Sequence, residues 1–353
     1  MIRLLALLMV LLTAPSLRAE TLTRFSALDR ETRVLTIRST TDLDVMRPLI
    51  EAFRLANPGV AVVYGEHLSN ELVLLAGEAC RNHRPIADVL VTSSSDHAVK
   101  LVNDGCARPH VSAETRRTPA YAQWLDSVFG FTFEPAVIVW DQRAVPPEEV
   151  PRSHLDLVAL LRDKGEAYRG AVGTYDVATS GIGYLFAVMD ARQSNLYGRL
   201  IEAFGRAAVR LECCTSGILD AIERGELKIG YNLLGSYAYR RLAAGAPIGI
   251  ALPRDYTLVL TRAAMLPRVG FDPGLGAAFL DHLLSEEGQR IVAERAFHFA
   301  AGRPIPPGVE GPASDDGASL FRPITIGPSL LAVQDAAKRR RFLSEWNASM
   351  SRD

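Results

Sequence analysis

Short apolar segments alternate with amphipathic segments along this chain, and that alternation limits its fold more than any other sequence feature. The apolar segments Val34–Arg38, Val60–Tyr64 and Ala87–Val91 have the length of buried strands. Between the first two, apolar residues recur at helical spacing from Met46 to Phe53. Repeated strand–helix–strand order predicts an α/β fold whose mostly parallel sheet is covered by helices on both faces.

A second series of the same kind follows further along the chain. Its predicted strands are Ala171–Tyr175, Leu227–Tyr231 and Ile248–Leu252, each separated from the next by helix-like sequence. The chain has 353 residues, which suits two domains of roughly 150 residues better than one. We therefore expect two α/β lobes, each with its own sheet.

Pro135 interrupts the strand-rich stretch Phe129–Trp140, and a central strand does not easily carry a proline. Two shorter strands that meet at Glu134 would accommodate it and would let the chain cross between lobes. Tyr256–Leu260 resembles the return crossing, and the hinge is expected near residues 133–135 and 252–256. The predicted division is 20–133 for the first lobe, 134–254 for the second, and 255–353, with the C-terminal helices, for the rest of the first.

The N-terminus has the order of a secretory signal. Arg3 precedes the apolar run Leu4–Leu12, and Pro15 and Ala19 follow it. The run is too short to remain as a membrane anchor. We expect residues 1–19 to be a cleaved signal peptide and the mature protein to be periplasmic.

Charge argues against nucleic acid as a partner. The chain has 39 Lys and Arg against 40 Asp and Glu, so it lacks the excess of basic residues that nucleic-acid binding requires. A basic run, residues 338–341, lies in a predicted C-terminal helix and is interpreted as a solvated face.

Four cysteines are compatible with export. Cys80 and Cys106 could form a disulfide that contributes roughly 3 kcal/mol, and spacing alone leaves this open. Cys213 and Cys214 are adjacent, and a strand would point them to opposite faces, so we predict two buried apolar side chains. The sequence has no Cys or His motif of a metal or redox site, and no metal or cofactor is predicted.

Small hydroxyl residues follow the predicted strands, directly before helices. Free backbone N–H groups and the positive end of the helix dipole make such positions suitable for anions, and open α/β sheets bind ligands at the carboxyl ends of their strands. Each loop could instead only cap its own helix. The candidate anion-binding residues are Ser39, Thr40, Thr41, Ser93, Ser94, Ser95, Thr179, Ser180, Gly181, Thr215 and Ser216.

No catalytic motif is found. Phe186 takes the place of the third glycine in a dinucleotide fingerprint that would begin at Gly181, and the carboxylates show no decisive pairing. His67 and His97 are interpreted as surface residues or as members of satisfied hydrogen bonds. No catalytic residue is predicted, although a secreted hydrolase or transferase stays open as a different class.

From about Val34 to Trp346 the chain resembles extracellular solute-binding proteins of ABC importers. It is most similar to the branch with ferric-iron binders, hexose-phosphate binders and the phosphoglycerate transport regulatory protein. The resemblance lies in residues 39–42, 87–95, 230–237 and 283–289. It implies a two-lobed type II periplasmic-binding fold that closes on a solute, acts as a monomer and docks on an inner-membrane permease. In the third motif we expect Tyr231, Asn232, Ser236 and Tyr237 to line the cleft.

The resemblance also frames the choice of ligand. Iron binders of this kind use an adjacent pair of tyrosines with His and Glu, whereas this chain has Tyr237 and Tyr239, about 200° apart on a helix. We therefore expect a small anionic solute, a phosphorylated or carboxylated organic compound. A ferric-ion binder of the same fold and a regulator that presents its ligand to the periplasmic domain of a sensor kinase are the alternatives.

Overall fold

The computed structural model describes residues 21–311 and 320–351. The predicted signal peptide, residues 1–19, lies outside the described residues, as does part of the loop predicted at 302–317.

The described residues form sixteen strands and eleven helices. The strands are β1 (Thr21–Phe25), β2 (Arg33–Ser39), β3 (Val60–Glu66), β4 (Val89–Thr92), β5 (Ala107–Arg108), β6 (Gln123–Trp124), β7 (Val128–Gly130), β8 (Glu134–Asp141), β9 (Val172–Tyr175), β10 (Arg210–Glu212), β11 (Ile229–Leu234), β12 (Ile248–Ala251), β13 (Thr257–Leu260), β14 (Ala263–Pro267), β15 (Val309–Glu310) and β16 (Phe321–Pro323). The helices are α1 (Leu43–Ala56), α2 (Ser69–Arg81), α3 (Ser95–Asn103), α4 (His154–Asp163), α5 (Gly181–Gln193), α6 (Tyr197–Arg206), α7 (Thr215–Glu223), α8 (Gly235–Ala243), α9 (Pro273–Leu284), α10 (Glu286–Ile291) and α11 (Ala336–Met350).

The strands form two sheets, as the sequence predicts. The first has the order β1-β3-β2-β4-β14-β7-β6, with β5 beside β14; the second has the order β10-β9-β11-β8-β12-β15, with β13 beside β8 and β16 beside β13. The two-lobed α/β fold is confirmed, but the sheets are mixed rather than mostly parallel. Strands β8 and β14 each follow a crossing between lobes, and they run antiparallel to their main neighbours.

Two short crossings connect the lobes. Residues 131–133 lead from β7 to β8, and Thr261 and Arg262 lead from β13 back to β14. The backbone N–H of Phe131 donates to the Arg262 carbonyl over 3.1 Å, so the crossings lie side by side. The second crossing was expected near residues 252–256. It lies further along the chain, because residues 257–260 still pair with β8 and β16 in the second sheet. The second lobe thus extends past the predicted boundary at 254.

Several helices cover a sheet with their apolar side, among them α1, α8 and α9. In α1, Val45, Met46, Leu49 and Ile50 are buried on the first sheet. Pro48 lies inside this helix, past its first turn, and having no N–H it cannot donate to the Asp44 carbonyl. The predicted helix break at residue 285 is confirmed, because α9 ends and α10 begins there.

The C-terminal segment crosses between the lobes twice more. After β16, in the second lobe, the Ile326 N–H donates to the carbonyl of Tyr121, next to β6 of the first lobe. Residues 328–332 then pack as a 3-10 turn on α3, and α11 packs on α6 of the second lobe. The predicted division assigned this segment to the first lobe, whereas in the structure it contacts both.

Both cysteine pairs are bonded. Cys80 and Cys106 tie the end of α2 to the strand β5, with a Cα–Cα distance of 5.4 Å. Cys213 and Cys214 are bonded to each other and are only half-buried, so the prediction of two buried apolar side chains on opposite faces of a strand is wrong. Strand β10 ends at Glu212, and the alternation of a strand therefore does not hold the two sulfurs apart.

Over residues 21–311 and 320–351, none of the helices combines the length and apolar character required to cross a membrane.

Candidate functional site

The candidate anion-binding residues fall in four loops, which we call the hydroxyl loops: 39–41, 93–95, 179–181 and 215–216. The second and third of these lie opposite each other across the two lobes. Ser94 directly precedes α3 in the first lobe, and Ser180 precedes α5 in the second. The Ser180 hydroxyl caps α5 by accepting from the Gly183 N–H at 3.2 Å. We call residues Ser94, Ser95, Asp96, His97, Thr179, Ser180 and Gly181 the α3–α5 junction.

Contacts across the junction are close. A Cβ placed on Gly181 would lie 2.7 Å from the Ser94 hydroxyl and 2.7 Å from Cε1 of His97, so only glycine lets the lobes approach this far. Helix α2 adds two bonds: the Gly181 N–H donates to the Ser69 hydroxyl at 3.2 Å, and the Asn70 amide donates to the Thr179 carbonyl at 2.7 Å. The two lobes are therefore in direct contact at this junction.

The first turn of α3 contains four buried polar atoms that make no hydrogen bond among the described residues. They are Oγ of Ser94, Oγ of Ser95, Oδ1 of Asp96 and Nδ1 of His97. Leaving such an atom unsatisfied costs about 1–3 kcal/mol, so four together are unusual in a structural core. These atoms lie beside two helix N-termini, positions whose backbone N–H groups and dipoles favour an anion.

The surroundings of His97 disfavour its charged form. Burial lowers its pKa, the Arg339 guanidinium lowers it further, and Asp96 together with a backbone hydrogen bond at Ser69 acts in the opposite direction. A neutral imidazole has one donor and one acceptor nitrogen, so His97 can serve a solute hydroxyl in either role.

A second polar cluster lies beside the two crossings. We call Thr41, Glu134, Ser236, Tyr237 and Arg262 the hinge cluster. Arg262 donates from Nε to Oε1 of Glu134 at 2.7 Å and from Nη1 to the Thr41 hydroxyl at 2.6 Å. The Ser236 hydroxyl also donates to Glu134, and Tyr237 donates to Asp42 at 3.2 Å. The Arg262 and Glu134 side chains are completely buried, and each is neutralised by the other.

Sequence reasoning placed Thr41, Ser236 and Tyr237 at the cleft but missed Arg262. The one available signal was an arginine between two apolar strands, Thr257–Leu260 and Ala263–Pro267. His97 was also misjudged: it is buried, and its Nδ1 makes no hydrogen bond to any residue the structure describes, because α3 faces the second lobe rather than solvent.

The other predicted residues of the first lobe serve local contacts. Ser39 accepts from the Thr41 N–H at 3.0 Å, and the hydroxyls of Thr40 and Ser93 lie 3.2 Å apart. These bonds connect the loops after β2 and β4, next to the junction.

In the second lobe the predicted residues are divided. The Thr215 hydroxyl lies 2.6 Å from that of Tyr175, and Ser216 is half-buried beside it. Tyr231 and Asn232 point away from the hydroxyl loops and donate to the buried carboxylate of Asp190, at 2.9 and 2.6 Å. The structure does not bring these two residues together with the junction.

The tyrosines compared with an iron site have different neighbours. Tyr237 contacts Asp42, whereas the Tyr239 ring lies 5.1 Å from the ring of His298 and 6.2 Å from that of Phe299. In the part of the chain that the structure describes, no three His, Cys, Asp or Glu side chains come together as a metal site.

Residues 35–298 match the sequence pattern of the family described as bacterial extracellular solute-binding protein. The chain belongs to this family. Solute-binding proteins of this family are periplasmic, bind small solutes and work with the inner-membrane permease of an ABC importer. The family resemblance seen in the sequence is thereby confirmed.

Solved structures agree with this assignment. The substrate-binding protein of an ABC transporter from Agrobacterium tumefaciens is 32% identical, with a TM-score of 0.85 over 96% of this chain and 100% of that chain. AfuA from Actinobacillus pleuropneumoniae, with exogenous fructose-6-phosphate bound, is 13% identical with a TM-score of 0.71 over 92% and 100%. Iron-bound HitA from Pseudomonas aeruginosa is 18% identical with a TM-score of 0.66 over 90% and 99%. These last two share the fold of this solute-binding protein. A search of curated protein sequences found no match.

Proposed function

We propose that this solute-binding protein captures a small anionic organic solute, phosphorylated or carboxylated, by closing its lobes at the two crossings. One observation carries the proposal: four buried polar atoms at the start of α3 have no partner among the described residues, and the start of α5 lies opposite them. An anion at this point would interact with the positive ends of both helix dipoles.

The expected strength of such contacts is sufficient. A hydrogen bond to a charged group contributes roughly 1.5–3 kcal/mol, so three or four supply about the 8 kcal/mol of micromolar affinity. Because Ser94 belongs to the first lobe and Ser180 to the second, a solute that touches both residues stabilises only the closed state.

Asp96 adds a requirement on the solute. Its Oδ1 is buried and accepts no hydrogen bond among the described residues, and a carboxylate oxygen can only accept. The solute should therefore carry hydroxyl donors beside its anionic group, as sugar phosphates, phosphoglycerates and hydroxy acids do.

Ferric ion is a weaker candidate. AfuA was solved with fructose-6-phosphate and HitA with iron, so both ligand types occur on this fold. In this chain Tyr237 and Tyr239 have separate surroundings, which does not favour a chelating pair of phenolates.

A thermal-shift panel followed by calorimetry tests the proposal. The mature protein is screened against fructose-6-phosphate, 3-phosphoglycerate, citrate, neutral fructose and ferric ion, and binding of a hydroxylated anion is expected. Ser94→Ala and Ser180→Ala should each weaken it by about 1–2 kcal/mol, while Ser344→Ala, an exposed serine of α11, should not. Preference for ferric ion or fructose, or unchanged affinity in both junction variants, would contradict the proposal. Chemical turnover of the bound probe would instead identify an enzyme.

The partners beyond the permease are part of the same proposal. We expect a monomer, checked by its mass in solution, because both halves of the junction come from one chain. A sensor-kinase domain as receiver of the loaded form stays a prediction.

A further inference from the structure

We propose that the C-terminal segment forms a third wall of the solute site and that Arg339 binds the anionic group of the solute. This inference rests on the function proposed above. It adds to the loops at the strand ends a segment that is distant in sequence: Val333 lies 149 residues after Tyr184 of α5.

The C-terminal segment lies directly over the α3–α5 junction. Gln334 donates from its side-chain amide to Oδ2 of Asp96, the residue whose other oxygen has no partner. On the opposite side, the Tyr184 hydroxyl of α5 donates to the Val333 carbonyl at 3.3 Å. Leu330 and Val333 are buried in the apolar core that both lobes share. The segment therefore contacts both sides of the junction at once.

Arg339 is oriented towards the same place. Its guanidinium carbon lies 4.3 Å from the centre of the Tyr184 ring, and Nη2 donates to the carbonyl of Ala178, the residue before Thr179. That bond, at 3.4 Å, uses one of the five N–H donors of a guanidinium. The side chain is half-buried, which strengthens its charge interactions relative to an exposed arginine.

A cation would improve the charge balance of the junction. Asp96 brings a negative charge there, and the helix N-termini and serine hydroxyls that face the anion carry only partial positive charge. The Arg339 guanidinium is close enough to the first turn of α3 to lower the pKa of His97, together with burial. With Arg339 present, the anion can pair with the guanidinium while solute hydroxyls donate to Asp96.

The position of Arg339 also links this contact to closure. Helix α11 packs on α6, and Arg339 stacks on α5, so the guanidinium belongs to the second lobe. Asp96 and His97 belong to the first. Closing the lobes therefore brings the cation and the first turn of α3 together around the solute.

The test uses Arg339→Gln and its neighbour Arg340→Gln, an exposed arginine of the same helix, in the mature full-length protein. Affinity is measured for fructose-6-phosphate, 3-phosphoglycerate and citrate, with Ser94→Ala in parallel. Arg339→Gln should weaken binding of the anion by about tenfold or more, and Arg340→Gln by less than about twofold. Arg339→Gln should also flatten the dependence of log Kd on salt concentration, because it removes a charge. Loss of packing alone would leave that dependence unchanged.

The outcomes separate the two proposals. If wild-type protein binds none of the three anions, the proposed function fails and this inference with it. If Ser94→Ala weakens binding but Arg339→Gln keeps the wild-type Kd and salt dependence, only the role of Arg339 is overturned. Should Arg339→Gln not fold, Arg339→Lys keeps the cation over Tyr184 but loses the planar fork. Affinity lowered severalfold relative to Arg340→Lys then supports the inference, and equal affinity overturns it.

Discussion

The α3–α5 junction and the hinge cluster are both buried, both polar and both built from the two lobes, yet they differ in one respect. In the hinge cluster the charged groups are matched: Arg262 donates to Glu134 and Thr41, and Ser236 donates to Glu134. At the junction four polar atoms have no partner among the described residues.

That difference distinguishes a cluster that stabilises the fold, the hinge cluster, from the proposed solute site, the α3–α5 junction. Burying a polar group is unfavourable unless a hydrogen bond replaces the one it made with water. The hinge cluster meets this condition with side chains of the protein itself, so it stabilises the crossings whether or not a solute is present. At the junction, the solute of the proposed function would supply the missing groups.

The largest effect is expected from breaking the ion pair of the hinge cluster. Glu134→Ala would leave the buried Arg262 unpaired and should lower the free energy of unfolding by about 3–5 kcal/mol, measured by urea denaturation. The matched control is the double variant Glu134→Leu with Arg262→Met, which removes both charges and should lose much less. A single variant as stable as the double would show that the pair is not matched in the way described here.

A pair of serine variants compares the two clusters directly. Ser236 and Ser94 are both completely buried, but Ser236 donates to a carboxylate and the Ser94 hydroxyl has no partner. Ser236→Ala should therefore cost about 1.5–3 kcal/mol of stability. Ser94→Ala should change the stability of the solute-free protein by less than about 0.5 kcal/mol while weakening solute binding. Equal losses of stability would remove the distinction between the clusters.

Much of the fold could be predicted because it follows from local pattern. The alternation of strands and helices indicated two α/β lobes, and the structure places the hydroxyl residues before α3 and α5 opposite each other, which makes them a candidate site. What could not be predicted depends on how the lobes are joined. The direction of β8 and β14 follows from the crossings, and so does the position of Arg262.

The C-terminal segment shows the same limit. Its basic run, residues 338–341, is typical of a solvated helix face, and periodicity cannot separate Arg339 from Arg340. Only the packing of α11 on α6 turns Arg339 towards Tyr184 and leaves Arg340 exposed. Likewise, the prediction for Cys213 and Cys214 assumed that both lie in a strand, whereas β10 ends at Glu212, one residue before Cys213.

The smallest expected effect concerns pH and again distinguishes the junction. Burial lowers the pKa of His97 below its ordinary value of 6.5 in the folded protein. The unfolded chain therefore binds a proton at His97 more readily, and the folded state loses stability as pH falls through 6.5 towards the folded pKa. His97→Asn should make the free energy of unfolding less sensitive to pH in this range. Ser95→Ala, which changes the neighbouring hydroxyl and no titratable group, should keep the wild-type slope. A wild-type protein that gains stability on acidification relative to His97→Asn would mean that the junction favours the charged imidazole, and that Asp96 rather than burial dominates there.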